Sequence, residues 1–315
     1  MLKFIFKKIT MGILTLWAIA TLTFFLLHSL PGDPFASEKK IPPVIKARLM
    51  EKYNLDKPLV YQYGLYIKDL FLHQDLGISM KVRGRSVNDM IKSNFPRSFI
   101  LGLTSIIIAI IVGIPLGIIA GLHRGKFLDS LSMIVAVLGI SVPSFIFGGI
   151  LQWIVLFIKF KTDVSILPIA GWGTFPHIIM PSIALSIFSI AVIARMMRAS
   201  MIEVLAQDYI RTARAKGLNN FQIIVKHGIR NAIMPVITYL GPLFAAVTTG
   251  SFVIETVFSI PGLGRYFSQS ILDNDYTVTL GVVVFYACLL IAMMILVDLA
   301  YGLIDPRIRR GAKNE

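Results

Sequence analysis

The sequence of 315 residues is 56% hydrophobic and only 15% charged, with a mean hydropathy of +0.75, values that exclude an ordinary soluble globular domain. Its 31 Lys+Arg against 17 Asp+Glu give a formal charge of +14. Those basic residues lie mostly in loops beside apolar runs, where topology and anionic headgroups account for them, so no nucleic-acid partner is implied. The single cysteine, Cys288, excludes an intrachain disulfide and a cysteine metal cluster.

At the N-terminus Lys3, Lys7 and Lys8 precede an apolar run from Ile9 to Leu30. It is too long for a secretory signal and lacks a small-residue cleavage site, so it is predicted to be a retained first span. At about 20 apolar residues per crossing, the pattern predicts roughly six spans in an all-α polytopic membrane protein: 9–30, 98–122, 129–158, 177–199, 233–254 and 277–304. The third run is over-long and leaves room for a surface helix at its start. Residues 31–97 are predicted to be an external helical segment. Pro42-Pro43 suits a helix start with Ile45, Leu49 and Tyr53 at helical spacing, and a second helix follows Pro58 through Tyr61, Leu65, Ile67, Leu70 and Phe71. The expected organisation is therefore an N-terminal span (1–30), the external segment (31–97), a five-span core (98–304) containing a loop at 200–232, and a tail (305–315).

Charge sets the orientation. Lys3, Lys7 and Lys8, then Arg124 and Lys126, then the basic run from Arg195 to Arg230, then Arg307, Arg309, Arg310 and Lys313 fall on one side if the spans alternate. The opposite short loops hold Lys159, Lys161 and Arg265, offset by Asp163, Glu255, Asp273 and Asp275. Both termini are thus predicted to be cytoplasmic. Gly113, Pro115, Gly117 and Gly121, then Pro143, Pro181, Gly241, Pro242 and Gly250 lie within the spans, where small residues permit close helix packing and prolines introduce kinks. The span centres carry almost no charge. Asp298 is the exception, and its depth matches that of Arg195 and Arg198, which predicts an ion pair at the inner surface.

The loop between the fourth and fifth spans carries the most information. Leu205, Tyr209 and Ala213 recur at helical spacing while Arg211 and Arg214 point elsewhere, predicting an amphipathic helix. Gly217 stands where a left-handed cap is wanted, with Leu218 as its apolar partner. Asn219 and Gln222 have the spacing of a capping box for a second helix through Phe221, Ile223, Ile224 and Val225. A duplex reader seldom hangs between membrane spans, so the pair is predicted to dock on a protein. Catalytic signatures are missing from the sequence. There is no G-x-x-x-x-G-K-[ST] loop for ATP, and His28, His73, His123, His177 and His227 are scattered without metal-ligand spacing. Ser141 and His177 fall at different predicted depths, which argues against a hydrolase.

The motifs in order resemble a family. Asp208-Tyr209-Ile210-Arg211-Thr212-Ala213-Arg214-Ala215-Lys216-Gly217-Leu218, followed by Arg230-Asn231-Ala232-Ile233-Met234-Pro235, is similar to the EAA loop of binding-protein-dependent ABC importer permeases, in their peptide and nickel branch. Leu30-Pro31-Gly32-Asp33-Pro34, Asp75-Leu76-Gly77-Ile78-Ser79, Ser141-Val142-Pro143-Ser144-Phe145, Phe258 to Arg265 and Asp305-Pro306-Arg307-Ile308-Arg309 extend the resemblance over nearly the whole chain. Arg211-Thr212-Ala213 stands where Glu-Ala-Ala is usual and Arg230 where the broader superfamily has proline; both departures are usual for the peptide branch. Pro34-Phe35, Glu38-Lys39-Lys40 and Tyr53 to Pro58 resemble the first of two oligopeptide-permease membrane subunits of Gram-positive bacteria.

The resemblance implies a type I importer fold of the MetI-like kind with an added N-terminal helix. It implies a homologous second permease, two ATPase subunits that hold the ATP and Mg²⁺ this chain does not bind, an extracellular substrate-binding lipoprotein and a peptide substrate. The coupling residues it implies are Glu203, Asp208, Tyr209, Arg211, Thr212, Ala213, Arg214, Ala215, Lys216, Gly217 and Phe221. Dipeptides, peptide pheromones and nickel are the alternative substrates within the branch. An ion-gradient-driven secondary transporter is the rival outside it, and would call for intramembrane acids or an inverted repeat.

Overall fold

The computed structural model describes residues 2–29, 34–35, 42–248 and 251–304, with backbone alone at 2–5 and 298–304. Among the described residues it is helical throughout, and the only β pairing is the isolated antiparallel bridge between Ile78 and Ser86. Five helices are long and apolar enough to cross a membrane, and a sixth crossing results if a pair bent by 45° is taken as one span. The chain clusters into two compact units, Met1–Pro96 with Gly262–Glu315, and Arg97–Pro261.

In the first unit, α1 (Leu2–Ser29) packs on α14 (Tyr276–Ile304), the last span. Gly12 allows this approach, since a Cβ there would stand 2.8 Å from Ile291 Cγ2. The helices predicted after Pro42-Pro43 and Pro58 are α2 (Pro43–Lys52), with Pro43 in its first turn, and α3 (Leu59–Lys68), which runs on through a π-helical turn, Asp69–His73. Phe24, Leu27, Tyr276 and Leu280 form one buried cluster, with Tyr63 and Tyr66 against it. Helix α13 (Leu263–Leu272) turns into α14 at Asp275. Sequence alone counts Asp275 as a loop charge; the fold buries it. Its carboxylate accepts from Val278 N–H (3.2 Å), capping α14, and from Ser79 Oγ (2.5 Å), Met80 N–H (3.2 Å) and Lys81 N–H (3.3 Å), pinning residues 79–81. Tyr53 donates to the Ser79 carbonyl at 2.9 Å, and burial, reinforced by the charge of Asp275, raises its phenol above the ordinary range.

Helix α4 (Val87–Leu122) begins in the first unit, on Val87, Met90 and Ile91, and starts earlier than the predicted 98. Its opening turns carry Asn88, Asp89, Ser93, Asn94 and Pro96, residues of modest or poor helix propensity, and the packing of Val87, Met90 and Ile91 with Leu263, Val278 and Val282 holds them in the helix.

In the second unit the third apolar run is two helices, α5 (Phe127–Ser141) and α6 (Ser144–Thr162). Pro143 lacks a donor and holds Val142 extended (φ −94°, ψ 123°), so the predicted single run of 129–158 breaks there. At 15 residues α5 is too short to cross, whereas α6, at 19, is long enough. Nor does α5 lie apart as a surface helix; it packs on α7 (Pro176–Leu205), which carries Pro181 inside it. Along α4, Gly113, Gly117 and Gly121 face α7 one helical turn apart. A Cβ on Gly117 would lie 2.5 Å from the Ala194 carbonyl oxygen and 2.6 Å from Met197 Cβ, and one on Gly121 2.7 Å from Met201 Cβ. Backbone therefore meets backbone along this seam.

The fifth predicted span is α11 (Met234–Thr248), with Pro242 inside it, followed by the short α12 (Phe252–Val257); Gly250 lies outside the described residues. Glu255 on α12, counted as a loop charge from sequence, is fully buried and accepts from Ser98 Oγ at 2.6 Å. The Ser98 hydroxyl helps to make the buried carboxylate tolerable.

Candidate functional site

Helix α7 ends at Leu205 and the chain turns at Ala206-Gln207 before α8 (Asp208–Ala215) begins, with Asp208 in the first turn, where the helix dipole favours an anion. The α8 cap has the two bonds of a Schellman motif: Gly217 N–H donates to the Arg214 carbonyl at 3.0 Å and Leu218 N–H to the Ala213 carbonyl at 3.3 Å. Gly217 sits at φ +79°, in the left-handed region, with open space where a Cβ would stand. Leu218 closes the motif by packing on Ile210, Ala213 and Ile223. The capping box is complete, with Gln222 N–H donating to Asn219 Oδ1 at 2.8 Å and Asn219 N–H to Gln222 Oε1 at 3.3 Å. From there α9 (Asn220–Gln222), a π-helical stretch (Ile223–Ile229) and α10 (Arg230–Ala232) lead to α11.

The buried face of α8 differs from the predicted one. Ile210 and Ala213 point inward, Tyr209 points out, and Leu205 belongs to the preceding helix. The turn at Ala206-Gln207 resets the helical phase, so the spacing that joined Leu205 to Tyr209 spans two elements. Tyr209 is 42% exposed, its hydroxyl accepting from Asn231 Nδ2 at 3.1 Å, and Phe221 is 74% exposed. Glu203, Asp208, Arg211, Thr212, Arg214, Ala215 and Lys216 are also exposed, so of the residues the resemblance implies for coupling only Ala213 is buried. The Arg211–Asp208 pair at 3.3 Å is open to solvent and adds little rigidity. Rigidity comes from below: Met201, Ala232 and Val236 share one buried cluster that ties the end of α7 to the start of α11, with Leu205, Ile224 and Ile229 packed on it.

Of the three residues predicted to pair at the inner surface, Arg198 has a carboxylate partner among the described residues. Arg198 binds Asp129 in the first turn of α5, Nε to Oδ1 at 2.5 Å and Nη2 to Oδ2 at 2.7 Å, a two-pronged arrangement. Gly125 N–H completes the shell of Asp129 at 2.9 Å. Arg195 is exposed, and the Asp298 side chain lies outside the described residues, as do Leu30 to Asp33, Glu38 to Lys40 and the 305–315 tail. The signal for Asp129 was in the sequence: it opens the third run on the predicted inner side, at the depth of Arg198 on the antiparallel neighbour. Among the described residues no cluster of three or more His, Cys, Asp or Glu could hold a metal ion.

This arrangement of kinked and broken apolar helices around a surface helix pair is the fold of an ABC importer membrane subunit. The chain resembles the solved inward-facing MetNI methionine ABC transporter with a TM-score of 0.54 at 18% identity, over 69% of this chain and 96% of that one. The model of the binding-protein-dependent transport system inner membrane component matches residues 113–310, and that of the N-terminal part of such membrane components matches 1–101. The chain belongs to this family of membrane permease subunits. Relatives include the dipeptide transport system permease protein DppB of Bacillus subtilis, 48% identical over 98% of both chains. The oligopeptide transport system permease proteins OppB of Haemophilus influenzae and of Escherichia coli K12 are 43% and 40% identical, each over 98% of this chain and 100% of the relative.

Proposed function

We propose that this chain forms half of the translocation path of an ATP-driven oligopeptide importer in the cell membrane, with a homologous second permease forming the other half. Two ATPase subunits bind ATP and Mg²⁺ on the cytoplasmic side, where both termini lie, and an extracellular lipoprotein of a Gram-positive cell delivers the peptide. The observation that carries the reading is the helix pair around Gly217. Its shape is fixed by its own caps, its underside is fused to α7 and α11, and its outer face presents Tyr209, Arg211, Arg214 and Phe221. Large exposed aromatics beside cations are what a docking face requires. An ATPase groove that moves on nucleotide binding would carry both helices, and with them α7 and α11, switching the path between its two openings.

Gly217→Val tests this. The left-handed conformation costs a β-branched residue roughly 1 to 2 kcal/mol, while Asn adopts it more readily. Since a Cβ there meets only open space, the strain is conformational and not steric. Gly217→Val should leave membrane insertion intact and uncouple ATP hydrolysis from peptide uptake, with Gly217→Asn close to wild type; full uptake by the Val variant would refute the coupling role. A dipeptide substrate is the second reading, favoured by the 48% identity to a dipeptide permease. Competition of labelled oligopeptide uptake by dipeptides, oligopeptides and Ni²⁺ in the reconstituted importer separates these.

A further inference from the structure

The apolar windows of the first and last spans are Phe6–Ser29 and Tyr276–Val297. The two helices pair so that these windows coincide. Gly12 meets Ile291, Ala20 shares a buried cluster with Val284, Phe24 shares one with Leu280, and the rings of His28 and Tyr276 lie 5.5 Å apart. Two separate stretches of sequence thus mark one hydrocarbon layer. On its uncovered side α1 leaves Leu22 70% and Leu26 61% exposed, an apolar face for lipid that reaches to the level of Leu26.

Helix α3 runs down inside this layer. Tyr63 pairs with Thr21 Oγ1 at 2.8 Å and lies against the rings of Phe24 and Phe25, whereas Leu70 joins Ala20 and Val284, with Ile67 and Leu16 beside them. Later residues of α3 meet earlier residues of α1, so the helix descends from the outer side. Val284 lies eight residues beyond Tyr276, which puts Leu70 about 12 Å below the outer end of α14 at 1.5 Å per residue. Gln74, at φ +53°, turns the chain, which then climbs back. A Cβ on Gly281 would stand 3.1 Å from Leu76 Cβ, one on Gly77 2.7 Å from Thr277 Cγ2, and Ser79 bonds Asp275 at the top.

The tip carries Asp69, His73, Gln74 and Asp75, and the backbone after it is irregular. Part of this polarity is satisfied within the unit. His73 Nδ1 lies 3.1 Å from Asp69 Oδ1, Gly77 N–H donates to Asp75 Oδ1 at 2.9 Å, and Asn88 on α4 donates to the Gln74 carbonyl at 2.8 Å and accepts from Leu76 N–H at 2.9 Å. Even so, the Asp69 and His73 side chains stay 40% and 57% exposed, and Gln74 and Asp75 are exposed as well. Lipid offers such groups no partner, so open polar side chains and irregular backbone at this depth face water.

We infer that residues 59–80 form a re-entrant hairpin in the outer half of the membrane, and that its tip, residues 69–75, lines the water-filled translocation path. Sequence alone assigns this stretch to the outside. The inference rests on the proposal that the chain forms half of such a path, and it names a part of that half. Because Asp69 and Asp75 are already bonded, the tip supplies a wet polar surface and not a pocket that selects side chains.

The test places single cysteines in a Cys288→Ala background, which lacks the chain's one native cysteine, in the complete importer reconstituted in liposomes. A charged, lipid-insoluble thiol reagent should modify Gln74→Cys within about tenfold of the rate at Lys57→Cys, just before α3, and Leu22→Cys at least about a hundredfold more slowly, because the reactive thiolate forms in water. A bimane label on Leu72→Cys, a position 72% exposed beside the tip, should lose emission in lipids brominated on their acyl chains, and one on Lys57→Cys should not. Modifying Gln74→Cys with the reagent should abolish peptide uptake, while modifying Lys57→Cys should leave it intact. Quenching without reactivity at Gln74→Cys would mean a dry tip, and reactivity without quenching a cap outside the membrane. Both signals with uptake unaffected by modification would take the tip out of the path. Each of these three results overturns the inference. Failure of the unmodified importer to take up peptide would instead overturn the transport reading, with reactivity and quenching still deciding the hairpin.

Discussion

Arg198 and Asp129 lie 69 positions apart in sequence and meet through two hydrogen bonds on helices that are antiparallel neighbours. The Asp129 side chain is 6% exposed and that of Arg198 28%, so removing either partner strands a largely buried charge. Asp129→Ala or Arg198→Met alone should cost about 3 kcal/mol, while the double variant should cost less than the sum. Thermal unfolding of the four species in detergent gives the coupling energy; strictly additive costs would show that the pair does not act as a unit. The contrast with Gly217 explains what was legible at this scale. The Schellman cap and the Asn219/Gln222 box are written within a few consecutive residues, so local chemistry reveals them. The partner of Arg198 depends on which helices adjoin, and the sequence reading named Asp298 without registering Asp129.

At the scale of elements, apolar runs located the spans but not their ends. Helix α4 runs back over polar residues and Pro96 to Val87 because Val87, Met90 and Ile91 are buried against Leu263, Val278 and Val282, packing that hydropathy does not register. The apolar run of 129–158 hid a break, since hydropathy is blind to the donor that Pro143 lacks. The glycines of α4 were legible as packing residues, and the structure adds what they pack against. Gly117→Ala would place a methyl 2.5 Å from the Ala194 carbonyl, backbone that cannot swing aside. The predicted cost is about 1 to 3 kcal/mol of overpacking, seen as a lower unfolding temperature; Gly125→Ala is the poorer control because of its positive φ, and Gly149→Ala, with open space around it, should be nearly silent.

For the whole molecule, the pairing of the first helix with the last was not visible from hydropathy, which orders spans along the chain and says nothing of their neighbours. Much of the surface is apolar: Phe160 is 92% exposed and Trp153 62%, with Lys161 over the Phe157 ring at 5.0 Å. Aromatics with a snorkelling lysine suit a membrane interface. With few charges within its spans, the proposed path offers little to discriminate among peptide side chains, so selectivity should follow the delivering protein. Exchanging that lipoprotein for one of different preference should shift the uptake profile of reconstituted importers to the donor's; an unchanged profile would place selectivity in the permease.

The glycine seam also constrains how any such machine moves. Because bumps of α7 sit in notches cut every fourth residue of α4, the two helices cannot creep past one another. They stay locked or jump a whole notch, about 6 Å at 1.5 Å per residue. A push at the foot of α7 would thus be passed to α4 without slippage, as in a single lever.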